Sequence, residues 1–216
     1  MKIPFTLEQF LSVFGEYNTS IWPMQFVLYL VAIAGVVLIL INKKYTDKIV
    51  CGILVLLWFW MGLVYHIVYF SSINKAAIVF GILFIIQGFL FLFIGVVKNK
   101  LKFSFETNVY GITSIIFILY ALVIYPVLGY FFGHRFPESP TFGAPCPTII
   151  FTFGLLLLVS YKVPKYLLII PLIWSLIGFS AAINLQVKED FGLVLAGIIG
   201  TILIFIKDNA VRNSLK

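Results

Sequence analysis

Long apolar runs separated by short polar stretches fill most of the chain. Hydrocarbon offers a backbone amide no partner and penalises charge, so a long uncharged apolar run marks a helix that crosses a membrane. Seven runs qualify: Ile21 to Ile41, Ile49 to Phe70, Ala76 to Val97, Val109 to Phe132, Pro147 to Ser160, Tyr166 to Ile183 and Phe191 to Ile206. At about 1.5 Å per residue the fifth reaches only some 21 Å across a hydrocarbon core of about 30 Å. The segment before it, Phe136 to Cys146, is therefore expected to dip below the membrane surface as a re-entrant stretch. The pattern predicts an all-α protein of one domain, residues 1–216, with seven transmembrane helices over 21–207 and a tail over 208–216.

Residues 1–20 follow a different pattern. Thr6 and Gln9 have capping-box spacing, and Leu7, Phe10, Leu11 and Phe14 fall at i, i+3, i+4 and i+7, with Glu8, Gln9, Ser12 and Glu16 on other faces. This predicts an amphipathic interfacial helix, either a plain anchor or a lid on the bundle. One Lys followed by polar residues leaves no room for the apolar stretch of a secretory signal. A faint internal echo links Ile21-Trp22-Pro23 with Pro145-Cys146-Pro147, each placing Pro where a first helical turn accepts it. It suggests two parallel three-helix repeats around a linking fourth helix.

Composition excludes a soluble globule: 62% of residues are apolar and 11% charged, against roughly 45–50% and about 25% in an ordinary soluble domain. The net charge of +7 reflects topology. Lys43, Lys44, Lys48, Lys98, Lys100, Lys102, Lys162, Lys165, Lys207, Arg212 and Lys216 share one side of the bundle, whereas Lys2, Lys75, Arg135 and Lys188 share the other. The positive-inside rule then puts the N-terminus outside and the C-terminus in the cytoplasm. Basic residues spread over three short loops and the C-terminal tail meet lipid headgroups, so the expected partner is the bilayer and not a nucleic acid.

Depth can then be assigned to the polar side chains. His66 falls near the outer end of the second span, while His134 follows the fourth span and Glu138 and Cys146 lie in the next loop. Glu16, Asn18 and Trp22 precede or open the first span, and Gln87 sits in the middle of the third. None of the seven runs contains a charge at its centre, which argues against a proton relay. These eight residues are the candidate ligand set; no catalytic residue is assigned.

Cys146 stands out within Gly143-Ala144-Pro145-Cys146-Pro147-Thr148, because free amides and the positive end of a helix dipole can stabilise a thiolate there. A thiolate could act as a nucleophile or as a ligand for a soft divalent metal such as zinc or copper, with His66 and His134 completing the set. The competing reading is a small side chain in a rigid Pro-bracketed turn. Neither His-x-x-x-His nor Cys-x-x-Cys spacing supports a metal, and no organic cofactor is indicated. Cys51 lies at the other end of the bundle, so the two thiols cannot pair.

The strings Pro4-Phe5-Thr6-Leu7-Glu8-Gln9-Phe10-Leu11, Tyr17-Asn18, Trp22-Pro23 and Gly143 to Thr148 resemble an uncharacterised family of prokaryotic multi-pass membrane proteins, a domain of unknown function sometimes labelled permease. The resemblance implies a prokaryotic inner-membrane protein and carries no assigned activity. Three classes of function remain open: a protein that binds, and in one form transports, a small molecule or metal ion from the outer face; a non-catalytic accessory or assembly subunit; and a membrane enzyme using Cys146.

Overall fold

The computed structural model describes residues 4–214. Lys2 and Lys216 lie outside the described residues, as does the Arg212 side chain, so their part in the charge distribution is left to the sequence. Among the described residues eight principal helices make up the fold, and two isolated β-bridges are the only sheet-like pairing.

Helix α1, Leu7–Ser20, begins with the expected capping box: the Thr6 hydroxyl accepts from Gln9 N at 3.2 Å and Gln9 Oε1 accepts from Thr6 N at 2.9 Å. Its buried face holds Phe10, Val13, Phe14, Tyr17 and Asn18. This face is turned from the one the spacing suggested, since Leu7 is exposed.

Among the described residues six helices are long and apolar enough to cross a membrane. They are α2 (Met24–Ile41), α3 (Thr46–Ser72), α4 (Ala77–Val97), α5 (Val109–Phe131), α7 (Lys165–Leu185) and α8 (Phe191–Ser214), which a 3₁₀ turn at Lys188–Asp190 leads into. The remaining apolar run becomes α6, Pro145–Leu157, whose 13 residues span about 20 Å. Helix α8 continues through most of the stretch that the sequence reading treats as a tail.

Helix α6 is short because it meets protein on all sides. Every residue in it except the half-buried Cys146 is buried, as expected of a helix that is apolar all round. Trp58 reaches in from α3 and donates its indole N–H to Thr152 Oγ1 at 3.1 Å. Both ends of α6 are completed by protein groups. At its C-terminal end Lys207 Nζ donates to the carbonyls of Leu157 and Val159 at 2.7 and 2.6 Å, and the chain pairs Val159 with Phe103 of the α4–α5 loop. At its N-terminal end Gly143 adopts φ +98°, a backbone that side chains resist, and a Cβ there would collide with Leu28.

Outward surfaces of the other helices carry Leu30, Leu40, Val68, Phe89, Ile116 and Phe131, all exposed. Lipid is as apolar as these side chains, so association must come from close packing rather than transfer out of water. Gly62 of α3 and Gly81 of α4 show this closeness: a Cβ on Gly62 would stand 2.8 Å from the Gly81 carbonyl oxygen.

The two expected triplets do not pack alike. Helix α3 lies between α2 and α4, whereas α8, the last of its triplet, packs on both α6 and α7. The structure thus provides no matching repeat.

Candidate functional site

The loop between α5 and α6 is tied to α1. Asn18 Nδ2 donates to the carbonyls of Pro137 and Ser139 at 2.6 and 2.7 Å, and Asn18 Oδ1 accepts from Thr141 Oγ1 at 2.8 Å. One residue earlier the Tyr17 hydroxyl accepts from Trp60 Nε1 at 2.8 Å and donates to Gly143 O at 3.3 Å. Burial pushes the Tyr17 phenol above its ordinary pKa, which keeps it protonated as that donor. Gln25 Nε2 donates to Asn18 O at 2.7 Å and completes the junction.

Helix α5 supplies the next part of the site through a flaw in its ladder. Pro126 has no N–H, and its ring crowds the preceding turn. The helix widens to a π-helical turn over Tyr120–Ile124, where Tyr125 N bonds back to Tyr120 O. Such turns re-aim side chains. Tyr120 and Tyr125 both end up at the turn that opens α8: the Tyr120 hydroxyl donates to Glu189 O at 2.8 Å, and the Tyr125 hydroxyl donates to Asp190 Oδ1 at 2.5 Å.

Glu189 and Asp190 are 0% and 2% exposed. The centres of the seven runs carry no charge, but just ahead of the last run the 3₁₀ turn folds these two carboxylates inward. Helix N-termini favour negative charge, which gives this placement a physical basis. His134, from the loop after α5, approaches Glu189 Oε1 with Nδ1 at 2.7 Å. That hydrogen bond, followed by the carboxylate charges, raises the His134 pKa above 6.5 despite its burial. Glu189 Oε2 is buried without a partner.

Beside this cluster lies a cavity of about 470 Å³ whose lining is overwhelmingly apolar. Phe10 and Phe14 of α1, Tyr65 and Phe70 of α3, Phe80 of α4 and Trp174 of α7 form its aromatic walls, and Cys146 and Asp190 contribute its polar floor. Trp174 is 8% exposed, and its indole N–H has no hydrogen-bond partner. The volume falls within the range of small-molecule sites, roughly 300–1,000 Å³.

The sequence candidates separate accordingly. Cys146 lies on the cavity floor, within the first turn of α6 rather than ahead of it. Its ionisable neighbour is Asp190, a carboxylate where a nucleophilic or metal-binding thiolate would want a cation. His134 is engaged with Glu189 on the far side of that carboxylate pair. His66 is fully buried against the rings of Phe84 and Trp174, at 4.5 and 4.8 Å between centroids, and neither of its nitrogens has a partner. Asn18 ties the α5–α6 loop to α1, while Glu16 and Glu138 are exposed. Trp22 is exposed beside Phe26 and Phe136. Gln87 donates to Leu167 O at 3.0 Å, away from the cavity. Among the described residues no group of three or more His, Cys, Asp or Glu side chains is placed to hold a metal ion.

A family model matches residues 7–214, nearly the whole chain. The chain belongs to DUF6064, a family of unknown function. No curated protein and no solved structure matches it. Membership in DUF6064 agrees with the resemblance to an uncharacterised family and supplies no activity, so any function must be argued from the cavity and the carboxylates beside it.

Proposed function

We propose that this DUF6064 protein is a prokaryotic inner-membrane protein that binds a small molecule in the cavity beneath α1, with that end of the bundle facing outward. The observation that carries this reading is an aromatic cavity of about 470 Å³ that ends on a buried carboxylate, Asp190. Water-filled apolar space is costly unless something is meant to fill it, and convergent polar groups at one end fix a ligand's orientation. Helix α6 serves as the seventh crossing; this is supported by its two ends, which meet Tyr17 through Gly143 and the α4–α5 loop through Val159. Gln87 and Ser175 are buried and bonded to the carbonyls of Leu167 and Pro171, which favours binding over passage through the bundle in this conformation.

Cys146 provides the test. Ethyl methanethiosulfonate, a small neutral thiol reagent, should modify Cys146 in nanodiscs while leaving the fully buried Cys51 intact, as read by peptide mass spectrometry. Ile177→Trp, which fills the rim of the cavity, should slow the modification at least tenfold. Equal modification of both thiols, or no effect of the rim variant, would refute the reading. For orientation, the exposed Arg135 and Lys44 serve better than the native thiols. An impermeant maleimide applied to intact cells should label Arg135→Cys and spare Lys44→Cys; the reverse pattern would invert the topology.

A further inference from the structure

We propose that the ligand is a single-chain amphiphile with an ammonium head group, taken from the surrounding lipid; this rests on the cavity being a binding site. Asp190 is 2% exposed, lines the cavity, and uses one carboxylate oxygen on Tyr125. The Cys146 thiol also hydrogen-bonds this carboxylate, and no cationic side chain of the described residues forms an ion pair with it. The groups facing it are Tyr125 from α5, Cys146 from α6, Trp174 from α7 and Tyr65 from α3, with Glu189 and His134 beside it. Among the described residues His134 is the one cationic group in contact with the carboxylate pair, and it reaches Glu189 rather than Asp190. Lys188 and Arg135, the cations next in sequence to this cluster, stand instead over the rings of Phe132 and Tyr130 at 5.5 and 5.0 Å.

A buried carboxylate demands a counter-charge as well as donors, and here Asp190 lines a ligand-sized space. An ammonium head there would balance the charge, and the aromatic side chains that line the same cavity offer a cation a second attraction. An anion would meet like charge, and a neutral head would gain neither term. The alkyl chain follows from the part of the lining that α7 supplies. Ile173, Leu176 and Ile177 line the cavity and are themselves exposed on the outer surface of α7, so the apolar space reaches the side of the bundle that lipid covers. Head inward on Asp190 and tail outward between α4 and α8's neighbour α7 is the arrangement this lining suits.

Three probes of equal chain length test the proposal: octylammonium, octanol and octanoate, each added to the protein in nanodiscs before ethyl methanethiosulfonate. Octylammonium should protect Cys146 at a concentration at least tenfold below octanol, and octanoate should protect least. Asp190→Asn should raise the octylammonium requirement to that of octanol. Equal protection by the ammonium and the alcohol in the unaltered protein, superior protection by octanoate, or an advantage that survives Asp190→Asn overturns the proposal. If no probe protects while the reagent still reaches Cys146, the ammonium ligand is refuted and the open cavity stands. If the reagent never reaches Cys146, the cavity reading itself falls. Should Asp190→Asn not fold, the ranking of the three probes on the unaltered protein decides.

Discussion

The Tyr125 hydroxyl meets Asp190 Oδ1 at 2.5 Å, joining the widened turn of α5 to the turn that begins α8. Both partners are buried, so removing the donor leaves a carboxylate oxygen without its bond. Tyr125→Phe should therefore cost about 1–3 kcal/mol. Denaturant unfolding in detergent would measure it. In the Asp190→Asn background the same change should cost less, because the partner is then uncharged.

His134 makes stability depend on pH in a definite direction. Its hydrogen bond to Glu189 raises the folded pKa above 6.5, so protonated His134 favours the folded state. The contribution is complete below the unfolded value of about 6.5 and is lost as pH rises through the raised folded value. Melting temperature recorded from pH 6 to 9 should fall across that window. His134→Gln should flatten the curve there.

The contact between Gly62 and Gly81 leaves no room for a methyl group, since the atom in the way is a backbone oxygen and cannot rotate aside. Gly62→Ala should destabilise the protein by about 1–3 kcal/mol, the usual cost of overpacking. Gly52, whose Cβ would meet nothing within 4 Å, is the matched control and should tolerate Ala.

Asn18 holds the α5–α6 loop with three side-chain hydrogen bonds. Asn18→Ala should free that loop and uncover part of the α6 N-terminus. Amide hydrogen exchange over residues 136–144 should accelerate at least tenfold while exchange within α4 stays unchanged.

Much of the fold was legible because hydropathy and spacing act locally. The Thr6 and Gln9 pair announced α1, and the apolar runs announced the long helices within a few residues. The carboxylates were missed for a physical reason. A hydropathy reading ends a span at its first charge, so Glu189 and Asp190 fell outside Phe191, and only the 3₁₀ turn with its tertiary partners folds them inward. One signal was available: Tyr120 and Tyr125 flank Pro126 in a run otherwise apolar, and buried phenols need acceptors. Grouping Cys146 with His66 failed similarly, because equal depth does not place two side chains on facing surfaces. Trp174 stands between the region of Cys146 and the His66 ring.

Helix α6 has its length set by loops and a lysine instead of by headgroups. A thicker or thinner bilayer would press on the six peripheral helices and leave this inner rod untouched. The floor on which Cys146 sits should accordingly keep its shape across membranes of different composition, while the exposed face of α7 beside the cavity adapts to each.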